Sequence, residues 1–263
     1  MPTTNTATPR SMGRTMLNKV PEVTLLFWVI KIMATTVGET AADFLATNLN
    51  FGLTATTFLM AALLAGALAL QFRVRRYIPW IYWLSIVLIS VVGTLITDNL
   101  TDNFGVSLWT TTAIFTVAMG TAFGVWYGVE KTLSIHSIDT VKREGFYWTA
   151  ILFAFALGTA AGDLIAEKID LGYWKSALLF GAMIGLVAAC RFLLQMNATL
   201  AFWIAYVLTR PLGASIGDFL SQARRDGGLG LGTTGTSVIF LLVIVGLVGW
   251  FTVEQQRITP EVI

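Results

Sequence analysis

Eight apolar stretches, each flanked by polar or charged residues, run through the chain near 22–47, 53–72, 79–100, 106–128, 146–167, 173–194, 199–221 and 233–252. Each is long enough to cross about 30 Å of hydrocarbon as an α-helix. The stretches differ in a regular way. Every odd one carries acidic residues toward its far end, whereas every even one, such as GLTATTFLMAALLAGALALQF from Gly52, is nearly free of charge. The pattern predicts an all-α integral membrane protein of eight transmembrane helices.

Within the odd stretches a second pattern repeats. Trp28, Gly38 and Asp43 recur as Trp83, Gly93 and Asp98, as Trp148, Gly158 and Asp163, and as Trp203, Gly213 and Asp218, always as W-x9-G-x4-D. With this composition the chance that a given Trp has both partners at those offsets is about 0.003, so the chain is an internal repeat and not a coincidence of spacing. Each repeat is a pair of helices, giving units of about 21–78, 79–135, 144–196 and 197–252 inside one membrane domain, 21–252. An even number of crossings per unit makes all four copies enter the bilayer in the same direction, as parallel repeats about an axis along the membrane normal. The tryptophans are 55, 65 and 55 residues apart, which predicts a two-plus-two pseudo-symmetry with the long connection, Gly128–Gly145, between the halves.

Composition agrees with the pattern and removes alternatives. An apolar fraction of 56%, 12% charged residues and a mean hydropathy of +0.73 leave no room for a soluble domain. The charges then set orientation. Arg10, Arg14, Lys19, Arg73, Arg75, Arg76, Lys131, Lys142, Arg143, Arg191 and Arg257 fall on one side, against Lys168, Lys175, Arg224 and Arg225 on the other. That asymmetry puts both termini in the cytoplasm. Residues 1–20 and 253–263 read as cytoplasmic tails, the first disordered. Cys190 is expected to be a small core residue and His136 an exposed loop residue, so neither implies a disulfide or a metal site.

The glycines and tryptophans have structural readings. A mid-helix glycine costs helix stability unless it permits close approach of another backbone, so Gly38, Gly93, Gly158 and Gly213 are expected at packing sites between repeats. Trp28, Trp83, Trp148 and Trp203 start their helices and are expected to anchor at the membrane interface.

The acids are harder to place without a function. Asp43, Asp98, Asp163 and Asp218 should share one depth, about 25–32 Å along their helices and near the outer surface. Glu39 lies deeper. Asp102 and Glu167 follow their aspartates by four residues, on the same face, where like charges repel. Ionisable groups inside a membrane segment cost about 2.5–3.5 kcal/mol each and face a cavity or a partner. These seven carboxylates are candidate ion-binding or pathway residues, with the four repeat aspartates as candidate metal ligands. Oxygen donors without Cys or His favour calcium, magnesium, manganese or a proton over zinc and copper. Lys31 and Arg210, the two cations within the membrane, are candidate coupling or gating charges, and Pro211 interrupts the helix next to Arg210. The glycine-rich segment 227–235 reads either as a loop dipping toward an ion path or as an external loop.

Four tandem two-helix units with one recurrent Trp resemble a bacterial family of four-repeat membrane-anchored proteins of unknown function, a resemblance that covers about residues 22–252. It implies a multi-pass protein of the bacterial inner membrane and assigns no catalytic residues. The residues favour a transporter or channel for a small cation, a divalent metal such as manganese or a proton-coupled ion. The alternatives are a membrane sensor or scaffold without transport and an intramembrane aspartyl enzyme, whose expected glycine pattern before the aspartates is missing. No cofactor beyond a bound cation is expected. The expected partners are the lipid bilayer and the cation, with association into a homo-oligomer compatible with lipid-facing helices and nucleic acid excluded.

Overall fold

The computed structural model describes residues 18–49 and 51–258. Among them are eight long helices: α1 (Leu25–Asp43), α2 (Leu53–Arg73), α3 (Pro79–Asp98), α4 (Leu108–Glu130), α5 (Val141–Asp163), α6 (Tyr173–Leu193), α7 (Ala198–Ser221) and α8 (Thr233–Ile258). All eight are long and apolar enough to cross a membrane, so the chain is a multi-pass membrane protein.

The helices form two concentric layers. The inner layer is a closed ring in which α1 packs on α3, α3 on α5, α5 on α7 and α7 back on α1. Each outer helix packs on the inner helix of the following repeat: α2 on α3, α4 on α5, α6 on α7, and α8 on α1. A single repeat therefore cannot bury its own apolar face, and the fourth must close onto the first. Inner helices are buried over most of their length, while outer helices expose residues such as Phe58, Val117, Leu186 and Val245 toward lipid.

The four motif glycines sit where neighbouring inner helices cross. A Cβ on Gly38 would collide with Ser90, on Gly93 with Phe155 at 2.9 Å, on Gly158 with Arg210, and on Gly213 with Thr35. In each case the residue met, or one of those met, lies three positions before the next copy's glycine. One crossing is thus repeated four times around the ring. The longer spacing between copies two and three is taken up by the 131–140 connection at the tryptophan end, without changing the crossing.

The inner helices end in two ways. In the first three repeats the aspartate is the last α-helical residue and a five-residue π-helical turn follows: Phe44–Asn48, Asn99–Asn103 and Leu164–Lys168. In the fourth repeat Asp218 lies inside α7, and the glycine-rich segment replaces the π turn. Its amides, from Leu229 to Gly232, donate to the carbonyls of Phe219, Leu220, Ser221 and Gln222, the carbonyls that a helix end leaves without partners. Gly227, Gly230 and Gly232 have φ of 88°, 76° and 77°, which only glycine adopts readily. This segment is therefore a helix cap at the aspartate end and does not dip toward the axis.

The tail expected over 1–20 falls outside the described residues up to residue 17, but its last residues are ordered. Lys19 and Val20 are buried; the Lys19 ammonium donates to the Gln71 and Phe72 carbonyls, both at 3.3 Å, and to Glu144. The Lys19 amide donates to Ile138, which ties this segment to the connection between halves. At the other terminus α8 continues through Ile258, past the expected boundary at 252.

Candidate functional site

The closed ring defines an axis, and the repeat register sorts its side chains into layers. At the tryptophan end each inner helix contributes two consecutive aromatics: Phe27 and Trp28, Tyr82 and Trp83, Tyr147 and Trp148, Phe202 and Trp203. The eight rings make a continuous collar. Phe27 meets Trp83 at 5.6 Å and Phe202 at 6.2 Å, Tyr82 meets Trp148 at 5.6 Å, and Tyr147 meets Trp203 at 6.0 Å. Trp83, Trp148 and Trp203, expected as interface anchors, are buried core residues that close one end of the axis, and Trp28 is half-buried at its edge. Consecutive aromatics explain it, because neighbours on a helix point about 100° apart and a lipid anchor needs only one of them. The Tyr82 and Tyr147 hydroxyls bond to each other at 2.6 Å, and the Trp203 indole donates to the Leu133 carbonyl of the connecting segment at 2.9 Å.

One layer deeper lies Lys31, fully buried and with no carboxylate partner among the described residues. Its ammonium donates to the Thr209 hydroxyl at 3.1 Å and stands 4.1 Å from the ring centroids of both Phe155 and Tyr206. Desolvated cation–π contacts of this kind contribute about 2 kcal/mol each, offsetting part of the cost of burial.

The centre of the axis is occupied by Arg210. Its Nη2 donates to Glu39 at 2.7 Å, to Thr159 at 2.8 Å and to Thr94. Glu39, Thr94 and Thr159 each follow the motif glycine of their own repeat, and the fourth copy has Ala214 there. The guanidinium thus comes from α7 and is received by the other three repeats at one equivalent position. Arg210 is fully buried, Glu39 is 6% exposed, and the Nε and Nη1 of the arginine have no partner among the described residues. The two candidate gating charges therefore occupy different layers: Arg210 pairs with Glu39, and Lys31 does not.

At the far end stand Asp43, Asp98, Asp163 and Asp218, one turn beyond that layer. Asp218 is buried and the others are half-buried. Among the described residues none of the four carboxylates makes a hydrogen bond or an ion pair closer than 4.0 Å. They lie within electrostatic reach of one another and of Glu39: Asp98 of Asp43 and Asp163, and Asp218 of the same two. Asp102 and Glu167 are exposed at the rim on the π turns, where Glu167 accepts a bond from Tyr173 at 3.1 Å. No three of these carboxylates are grouped tightly enough to hold a metal ion directly among the described residues. The metal-ligand set expected from sequence is instead four separate carboxylates at one level, a turn beyond the Glu39 layer.

Sequence reasoning placed the aspartates at one level but missed the receiving layer of threonines and the aromatic collar. Both were present as register: the residue after each glycine and the residue before each tryptophan.

No curated protein and no solved structure matches the chain. A family model does, four times, over residues 26–77, 81–132, 146–197 and 201–256. Those windows coincide with the four helix pairs of the ring, and the chain belongs to the family described as Repeat of Unknown Function, DUF347.

Proposed function

We propose that the protein carries a small hard cation across the bacterial inner membrane, a divalent metal such as manganese or a proton-coupled ion. The repeat aspartates form its collecting mouth, and the Arg210–Glu39 pair forms its closure. One observation carries this reading: four carboxylates from four equivalent positions, unpartnered among the described residues, surround a single axis, one turn beyond a buried ion pair. Carboxylates held around a low-dielectric opening concentrate cations in front of it. Among the described residues no three of them are grouped closely enough to ligate an ion directly, which suits an ion that keeps part of its water, as magnesium and manganese do. The excess of Lys and Arg in the loops at the tryptophan end orients that end toward the cytoplasm and the aspartate mouth outward. Lys31 and Arg210 then serve as the coupling and gating charges.

Purified protein in sealed vesicles, loaded with dyes for sodium, potassium, magnesium and manganese, tests the reading. The wild type should move one of these ions, and Asp43→Asn and Asp163→Asn should slow that flux at least several-fold. Unchanged flux in both variants, or no flux of any ion, would overturn transport through this mouth. The closed axis also suits a sensor, and cation binding to the purified protein without flux would assign that role.

A further inference from the structure

The layer that receives Arg210 is built only of acceptors. The Thr94 hydroxyl has two acceptors for its proton, the Ser90 carbonyl at 3.2 Å and the Glu39 carboxylate at 3.5 Å, and Thr159 donates to Phe155 at 3.2 Å. With the protons directed to these acceptors, the lone pairs of both oxygens are left for the cation beside the Glu39 carboxylate. An acceptor-only cage of one carboxylate and two hydroxyls is a site for a hard cation, and a cation occupies it: the guanidinium of Arg210. The arginine is poorly matched to a purely structural task. A guanidinium held as a fixed pair is normally bidentate, yet here Nη2 makes all three bonds while Nε and Nη1, fully buried, have none among the described residues. Arg210 is also within electrostatic reach of Asp43 and Asp163, which lie one turn further along the axis and offer a second place to rest.

We propose that Glu39, Thr94 and Thr159 form the inner cation site of the pathway, and that Arg210 is a tethered cation which fills this site when the axis is closed and exchanges with the transported ion. The inference rests on the cation-transport reading and, of its two classes of ion, keeps the proton-coupled one as a monovalent cation and sets the divalent metal aside. At the level of the cage the one carboxylate, Glu39, is balanced by the one guanidinium, Arg210, and the buried carboxylate of Asp218 lies a turn further along the axis. Exchanging the guanidinium for a monovalent ion leaves that balance unchanged, whereas a divalent ion would add a further positive charge in a low-dielectric site. The class selected at this depth is therefore an alkali cation, even where the outer mouth also attracts divalent ions. Thr94 and Thr159 are positioning ligands, and Ala214 leaves the space through which the arginine side chain reaches the cage.

The test compares wild type, Arg210→Met and the double variant Glu39→Gln/Arg210→Met in detergent. Thermal unfolding is followed against lithium, sodium, potassium and magnesium, with choline as the control for ionic strength. Removing the tethered competitor should tighten the half-saturating concentration of one alkali cation about tenfold in Arg210→Met, and the double variant should lose the response. Arg210→Lys, which keeps a positive charge, covers the case in which Arg210→Met does not fold. It should respond at a concentration between wild type and Arg210→Met, or, if that variant is lost, below wild type. A folded Arg210→Met or Arg210→Lys with the same response as wild type, or a response to magnesium alone, overturns the inference. If that happens while the wild type still moves a cation in vesicles, transport stands and only the inner site falls. A response in Arg210→Met without flux in the wild type keeps the site and removes transport.

Discussion

The two ends of the axis are built by the same four helices, and they are opposites. At the tryptophan end every repeat contributes two rings, each packed on rings from its neighbours; the Tyr82 and Tyr147 hydroxyls bond to each other, while the buried indole nitrogens of Trp83 and Trp148 have no partner among the described residues. At the aspartate end every repeat contributes a carboxylate, and none of the four finds a partner among the described residues. Fourfold repetition multiplies whatever a position does. Repeating an aromatic adds contact area, whereas repeating an acid adds repulsion that packing cannot relieve. The first end adds to stability and the second subtracts from it, and that cost is what the cation-transport proposal accounts for.

The comparison breaks most visibly at the boundary between the ends. Arg210→Met alone leaves Glu39 charged, buried and unpaired, and should cost about 3–5 kcal/mol, most of which Glu39→Gln in the same chain should recover. Denaturant unfolding in detergent checks both values. At the aromatic end Trp148→Ala should cost about 3–5 kcal/mol and Trp28→Ala clearly less, because Trp148 is 3% exposed and Trp28 is half-buried. Equal losses would mean that the rings act as separate anchors and not as one collar. At the crossing between the ends, Gly93→Ala would bring a methyl within 3.2 Å of the Ala156 backbone nitrogen, and should cost about 1–3 kcal/mol in the same assay. The smallest change belongs to the rim: Asp102→Asn, at an exposed carboxylate with no partner among the described residues, should alter stability by no more than about 0.5 kcal/mol.

Much of this was legible in the sequence, because helix length, repeat register and the mid-helix glycines are local signals. Gly38, Gly93, Gly158 and Gly213 stand at crossings for the reason their position suggests: a side chain there would collide with the next helix. The partners of Arg210 were not legible, since they lie 171, 116 and 51 residues away and become neighbours only when the ring closes. The tryptophans were legible but ambiguous. A ring at the start of a membrane helix fits a lipid interface as well as a core, and only the aromatic before it, as in Tyr147–Trp148, tips the balance. The glycine-rich segment misleads for a related reason: glycine permits both a pore loop and a helix cap, and the unmet carbonyls of α7 decide between them.

The central claim is that the four aspartates act together on one ion-attracting axis. Equilibrium binding of sodium, magnesium and manganese to the purified protein, compared with a variant in which Asp43, Asp98, Asp163 and Asp218 are all asparagine, tests it most directly. The account predicts saturable binding of at least one of these ions to the wild type and its loss in the fourfold variant, with the helical content of both unchanged. Equal binding by the two proteins, or none by either, would contradict it.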